Sequence, residues 1–142
     1  MIGAVIISHG SLSDAVLEVV HRIAGRQENI LPLSNTGKDL RQMESDLREA
    51  LERLSECQEV IFFSDLNGGS CSLICKRLLR ENENLAMIAG YNLSMLIEFA
   101  LYRSRPLAEI LPLLEAKGQR GITVFRHVES GGNDDHKPLQ SG

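Results

Sequence analysis

Met1-Ile-Gly-Ala-Val-Ile-Ile-Ser-His9-Gly10 is an almost unbroken apolar run that stops abruptly at Ser8-His9-Gly10. A continuous Val/Ile segment bounded by a turn signal reads as a strand buried on both faces, as parallel strands are. Helical periodicity begins almost at once after it, so His9 falls where the carboxyl end of a strand meets the start of a helix. In open α/β sheets ligands bind outside the carboxyl ends of the strands. The side chain placed there is the one that titrates near neutral pH.

Working outward, the same grammar repeats. Ser11 or Ser13 is a candidate N-cap for a helix whose apolar face is Leu12, Ala15, Val16, Val19, Val20 and Ile23, with Gly25 as its stop. Ile30–Leu33 reads as a second strand. Thr36-Gly-Lys-Asp39 opens a long helix with an apolar stripe of Leu40, Met43, Leu47, Ala50, Leu51 and Leu54 and a charged outer face. Val60–Ser64 is a third buried strand, followed by Asp65-Leu-Asn-Gly68-Gly69-Ser70 and a helix from about Ser72 to Arg80. Leu85–Ala89 is the fourth strand. Asn92 or Ser94 caps the next helix, which runs to about Tyr102. Pro106–Lys117 reads as another, ended by Gly118 and bent or split at Pro112. Gly121–His127 alternates like a half-exposed strand, and the polar remainder to Gly142 lacks periodicity. The expected organisation is one domain over residues 1–128 and a disordered tail or linker remnant over 129–142.

Four strand–helix alternations predict an α/β fold: an open, doubly wound, mainly parallel sheet of order 2-1-3-4 with helices on both faces. Its switch point lies between strands 1 and 3. That arrangement brings His9 beside Asp65, 56 positions apart, in one crevice.

Bulk properties exclude several function classes. At 142 residues, 43% hydrophobic and 24% charged, the chain has an ordinary globular composition. A net charge of −4 without a basic cluster argues against nucleic-acid binding. No apolar run approaches the roughly 20 residues of a membrane span, and no positive n-region precedes the first strand. The expectation is a cytoplasmic protein. Cys57, Cys71 and Cys75 are an odd count, against a disulfide framework, and Cys71 and Cys75 lack further zinc ligands at matching spacing. They read as small buried residues; neither a metal nor another cofactor is expected.

The crevice holds a small set of groups. A carboxylate accepting from the imidazole Nδ1–H fixes the tautomer, leaves Nε2 a free lone pair, and stabilises the cation formed after attack. Gly68, Gly69 and Gly10 let peptide amides turn toward an anion at helix N-termini, and Ser70 adds a hydroxyl. There is no Gly-x-x-x-x-Gly-Lys-[Ser/Thr] and no Gly-x-Ser-x-Gly. The remaining class is metal-free phosphoryl transfer through a phosphohistidine, with His9, Asp65 and Ser70 as catalytic residues and Gly10, Gly68 and Gly69 binding phosphate. Of the other histidines, His21 reads as structural or exposed, while His127 and His136 have no visible partners. Tyr91 and Met95 suit either a docking surface or the core.

Ile2–Leu12, Ser64-Asp-Leu-Asn-Gly-Gly-Ser70 and Ala89-Gly-Tyr-Asn-Leu-Ser-Met-Leu96, in this order and spacing, resemble the IIA component of the mannose family of the bacterial phosphoenolpyruvate-dependent sugar phosphotransferase system. The resemblance covers about residues 1–127. It implies that His9 takes the phosphoryl group on Nε2 from phospho-HPr and passes it to a IIB component for sugar uptake. Asp65 then orients the ring, and Ser70 contacts the phosphate. It also implies a homodimer whose last strand, here Gly121–His127, crosses to the partner, and contact with the membrane only through a transporter complex. Three positions depart from the family pattern: Asn67 replaces a bulky residue, Cys71 a proline, and Ser94 a proline. All lie where a partner would touch. Two other readings use the same crevice. One is a regulatory module whose phospho-state is read by a partner without sugar transport. The other is a receiver-like or flavodoxin-like domain in which Asp65 carries the phosphate or a nucleotide binds.

Overall fold

The computed structural model describes residues 1–129; the tail expectation for the last residues lies outside them. The elements run β1 (Gly3–Ser8), α1 (Leu12–Ala24), β2 (Ile30–Ser34), α2 (Leu40–Arg53), β3 (Val60–Ser64), α3 (Gly69–Glu81), β4 (Leu85–Ala89), α4 (Leu93–Tyr102) and α5 (Leu107–Arg120). The four strands form one parallel sheet in the order β2-β1-β3-β4. Every residue of β1 and β3, the two central strands, is buried. This is why both read as unbroken apolar runs: each face of the sheet is covered by helices.

Alternate strand residues point to opposite faces. Ala4, Ile6, Ile61 and Phe63 pack against α1, α4 and α5 through Leu17, Val20, Leu96, Phe99, Ile110 and Leu114. Val5, Ile7, Val60 and Phe62 pack against α2 and α3 through Met43, Leu47, Ile74, Cys75 and Leu78. Phe63 meets Phe99 edge to face, their centroids 5.2 Å apart.

The amino-terminal end of the sheet is tied by a buried arginine. Arg103 donates from Nε and Nη2 to the Ile2 carbonyl at 3.1 and 2.8 Å, and from Nη1 to the Glu28 carbonyl at 2.7 Å. It also lies over the Phe99 ring at 5.1 Å. It thereby gives donors to carbonyls just ahead of β1 and β2, of which that of Ile2 is buried.

Several local expectations change. α1 turns Ser13, Leu17 and Val20 inward, leaving Leu12, Val19 and Ile23 exposed. Ser13 Oγ donates to the Leu33 carbonyl at 3.1 Å, which fixes this rotation of the helix. Leu40 is likewise exposed. α3 starts at Gly69, three residues before the periodicity suggests, because its N-cap is Gly68. α5 is not split at Pro112: both Pro112 and Ala108 are exposed, so water can take the carbonyl that loses its donor. Gly118 lies inside α5, not beyond it. A Cβ there would sit 2.7 Å from Met95 Cε, and the Gly118 carbonyl accepts from Asn92 Nδ2 at 2.8 Å. The glycine thus permits close approach to α4. Finally, Gly121–His127 forms no strand within the chain and lies exposed.

Candidate active site

β1 and β3 are neighbours in the sheet, so the turns after them share one mouth. There the structure brings His9 and Asp65 together. Asp65 Oδ2 accepts from the His9 peptide N–H at 2.9 Å and from ring Nδ1 at 2.9 Å. The His9 side chain is 63% exposed and that of Asp65 only 12%. Burial pushes the Asp65 carboxyl upward, yet the bonds from the His9 peptide and ring together outweigh it and hold the group below its ordinary value. A carboxylate kept ionised can only accept, so Nδ1 carries a proton, and in the neutral ring the lone pair is on Nε2. The imidazole is held at one nitrogen and open at the other.

The glycines shape the anion side. Gly68 and Gly69 have φ values of 120° and 77°, and a Cβ on either would meet nothing within 4 Å, so glycine is required by the backbone and not by space. Gly68 donates its N–H to Ser72 Oγ at 3.0 Å. Gly10 donates its N–H to Thr36 Oγ1 at 2.7 Å. Two of the amides expected to face an anion are therefore already engaged. Gly69, Ser70 and Cys71, in the first turn of α3, precede its first intrahelical donor, so their amides have no partner within the helix. Ser70 lies there, exposed and without a bond to His9 or Asp65. Beneath this turn Cys71 and Cys75 are buried as free thiols. The Cys75 contact lowers the Cys71 thiol and raises that of Cys75.

Two groups at this mouth escape a reading of the sequence. Thr36 is taken there for the opening of a helix, but its hydroxyl bonds the Gly10 peptide. Tyr91, left between docking surface and core, places its hydroxyl 2.6 Å from Ser8 Oγ. Burial raises the Tyr91 phenol, more than the Ser8 bond lowers it, and the Asp65 charge adds to the rise. Among the described residues no cluster of three or more His, Cys, Asp or Glu could hold a metal ion, and no helix is long and apolar enough to cross a membrane.

Set against known proteins, residues 3–112 match the EIIA-man family model, described as PTS system fructose IIA component. The chain is 28% identical over 132 residues to the PTS system fructose-specific EIIA component of Bacillus subtilis (strain 168), covering 91% of this chain and 90% of that protein. It is 26% identical over 128 residues to the PTS system mannose-specific EIIAB component of Escherichia coli (strain K12), covering 88% of this chain and 40% of the longer protein. Among solved structures, phosphotransferase system component EIIA from Streptococcus agalactiae aligns with a TM-score of 0.79 and 25% identity, over 87% of this chain and 97% of that one. The mannose/sorbose specific IIA subunit from Enterococcus faecalis shares the fold, with a TM-score of 0.77 and 22% identity over 89% and 96%.

Proposed function

The chain belongs to the EIIA-man family of PTS system IIA components, and from that premise we propose that it is a cytoplasmic phosphocarrier charged on His9 by phospho-HPr and discharged to a IIB component for sugar uptake. The observation that carries this reading is the pair of hydrogen bonds that Asp65 Oδ2 accepts from the peptide and ring of His9, which leaves Nε2 free. In the transfer, the Nε2 lone pair attacks phosphorus, the bond from phosphorus to the donor's nitrogen breaks, and the donor keeps that electron pair. The Nδ1 proton stays in place, so the phosphorylated ring is cationic in its Nδ1–H form and Asp65 stabilises it. The amides at the start of α3 and the Ser70 hydroxyl supply donors for the phosphoryl oxygens. Among the described residues no group of three or more His, Cys, Asp or Glu gathers around Asp65, as the acidic cluster of a receiver-type site would.

The same family membership supports a homodimer. β4 ends the sheet with an open edge free of proline and charge, whereas the opposite edge strand, β2, carries Pro32. The exposed segment after α5 carries Ile122, Val124, Phe125 and Val128. In this reading it adds to the β4 edge of a second copy.

The test is to incubate the chain with phosphoenolpyruvate, the general phosphotransfer enzyme and HPr, and to map the modified residue by mass spectrometry. The expected label sits on His9, is lost in acid and survives base. A base-labile label on Asp65, or none, overturns the reading. Passage of the label to a purified IIB component supports transport; refusal by every IIB component offered would favour the regulatory role.

A further inference from the structure

Ser8, His9 and Gly10, the last residue of β1 and the first two of the turn after it, are each gripped by a side chain from a different loop. Ser8 Oγ lies 2.6 Å from the Tyr91 hydroxyl, in the loop after β4. His9 is bound by Asp65, in the loop after β3. Gly10 donates its peptide N–H to Thr36 Oγ1 at 2.7 Å, in the loop after β2. Each outer loop is itself tied to the strand ends. The Gly90 and Tyr91 amides both donate to the Ser64 carbonyl, at 2.8 and 3.2 Å, and Asn35 N–H donates to the Ser8 carbonyl at 3.1 Å. Thr36 N–H donates to Ser34 Oγ at 3.2 Å.

We propose that Thr36 and Tyr91 are positioning residues for His9: Thr36 holds the Gly10 peptide and Tyr91 the Ser8 side chain, one on either side of the imidazole and neither touching it. The clamp has a physical purpose. His9 is largely exposed, and only one ring nitrogen is held, so the direction of Nε2 depends on where the backbone sets Cα and Cβ. Gly10, at φ 59°, is in the left-handed region, and glycine is the residue with the widest backbone freedom. A hydroxyl accepting its N–H removes that freedom. On the other side Ser8 is fully buried and its hydroxyl is fixed by a phenol. Misplacing a reacting atom by about 1 Å costs roughly a hundredfold in rate, so a turn held at three points in succession serves transfer more than stability.

This inference rests on the reading of His9 as phosphoacceptor, and the experiment separates the two. Wild type, Thr36→Val, Thr36→Ser and Tyr91→Phe are assayed for phosphoryl transfer from phospho-HPr, with folding followed by circular dichroism and the phosphohistidine by its phosphorus resonance. The expected result is a kcat lowered about tenfold to a hundredfold in Thr36→Val and in Tyr91→Phe, at near-constant KM. Thr36→Ser, which keeps the acceptor, stays close to wild type, and the phosphorus resonance is displaced in the two slow variants. Wild-type kcat in both, a rise confined to KM, or a loss matching the unfolded fraction overturns the clamp while leaving His9 chemistry intact. A wild-type chain unlabelled on His9 overturns the phosphocarrier reading and the clamp with it.

Discussion

Asp65 holds His9 twice through one oxygen: Oδ2 accepts from the peptide N–H and from ring Nδ1, both at 2.9 Å. A single bond to the ring would set the tautomer but let the imidazole pivot with its backbone. The second bond ties the backbone to the same atom, so ring and peptide move together. The relationship requires β1 and β3 to be adjacent and parallel, with Ile7 opposite Ser64, so that the residues following them emerge side by side.

Replacing Asp65 by Asn keeps the shape and removes the charge. The imidazole cation formed on transfer then loses its counter-ion, and the Nε2–H tautomer becomes accessible. Transfer to and from His9 is expected to fall by about a hundredfold or more, with the circular dichroism spectrum unchanged. A wild-type rate in stopped-flow transfer assays would remove the pair from the mechanism.

The same contact makes a statement about acid stability. The folded-state pKa of Asp65 lies below its ordinary value despite the opposing effect of burial. Folding stability from this group is therefore present above the unfolded pKa, about 4, and is lost as pH falls through the lower folded value. Urea midpoints measured from neutral pH down to about pH 3 should decline less steeply for Asp65→Asn than for wild type. Parallel curves would show that the contact is not favourable in solution.

At the anion side, Gly69→Ala places a Cβ in open space but on a backbone of φ 77°. The left-handed conformation costs a non-glycine residue about 1–2 kcal/mol, so denaturant titration should show a loss of that order. Transfer should suffer more than stability, because relaxing the strain rotates the Ser70 and Cys71 amides away from the phosphoryl position. Unchanged transfer alongside the stability loss would exclude these amides as donors.

The architecture was legible wherever burial is two-sided. Val60–Ser64 and Leu85–Ala89 read correctly to the residue, since continuous apolar runs between turn signals have few alternatives. The meeting of His9 and Asp65 followed from strand order alone. What stayed hidden depends on contacts distant in the chain. α1 has more apolar residues than one face can bury, and the inward row is set by distant contacts: the packing of Leu17 and Val20 and the Ser13–Leu33 bond across 20 positions. Thr36 and Tyr91 bond partners 26 and 83 positions away. No local pattern distinguishes them from ordinary loop residues. A signal did exist: both fall within two residues of a strand's carboxyl end, on the strands flanking the β1–β3 pair.

Far from this mouth, Arg103 makes a contrasting prediction. Its guanidinium is buried, bonded to carbonyls rather than to a carboxylate, and burial lowers its pKa. Arg103→Met preserves bulk but strands the Ile2 and Glu28 carbonyls without donors. An unsatisfied buried acceptor costs about 1–3 kcal/mol; the Ile2 carbonyl is buried and Glu28 is exposed, so a loss within that range is expected in urea unfolding. Labelling of His9 well below the melting temperature should be unaffected. A change in transfer rate by the folded variant would mean that the two ends of the sheet are coupled.

The last prediction concerns the segment beyond α5. Gly121–Val128 is exposed and forms no strand in its own chain, although it carries four exposed large hydrophobics. An exposed apolar stretch and an open β4 edge are each surfaces that a second chain can cover. The described groove between β4 and α5, lined by Met87, Ile88, Ala89, Leu111, Pro112 and Glu115, is the surface it would continue. In the dimeric reading, ending the chain at Arg120 removes the crossing strand, and sedimentation velocity should show a monomer where the full chain sediments as a dimer. Val124→Lys should shift the full chain the same way, by placing a charge on a face the partner buries. A truncated chain that still dimerises would locate the interface elsewhere. A monomeric full chain would show that β4 keeps its free edge and that the segment has another cover.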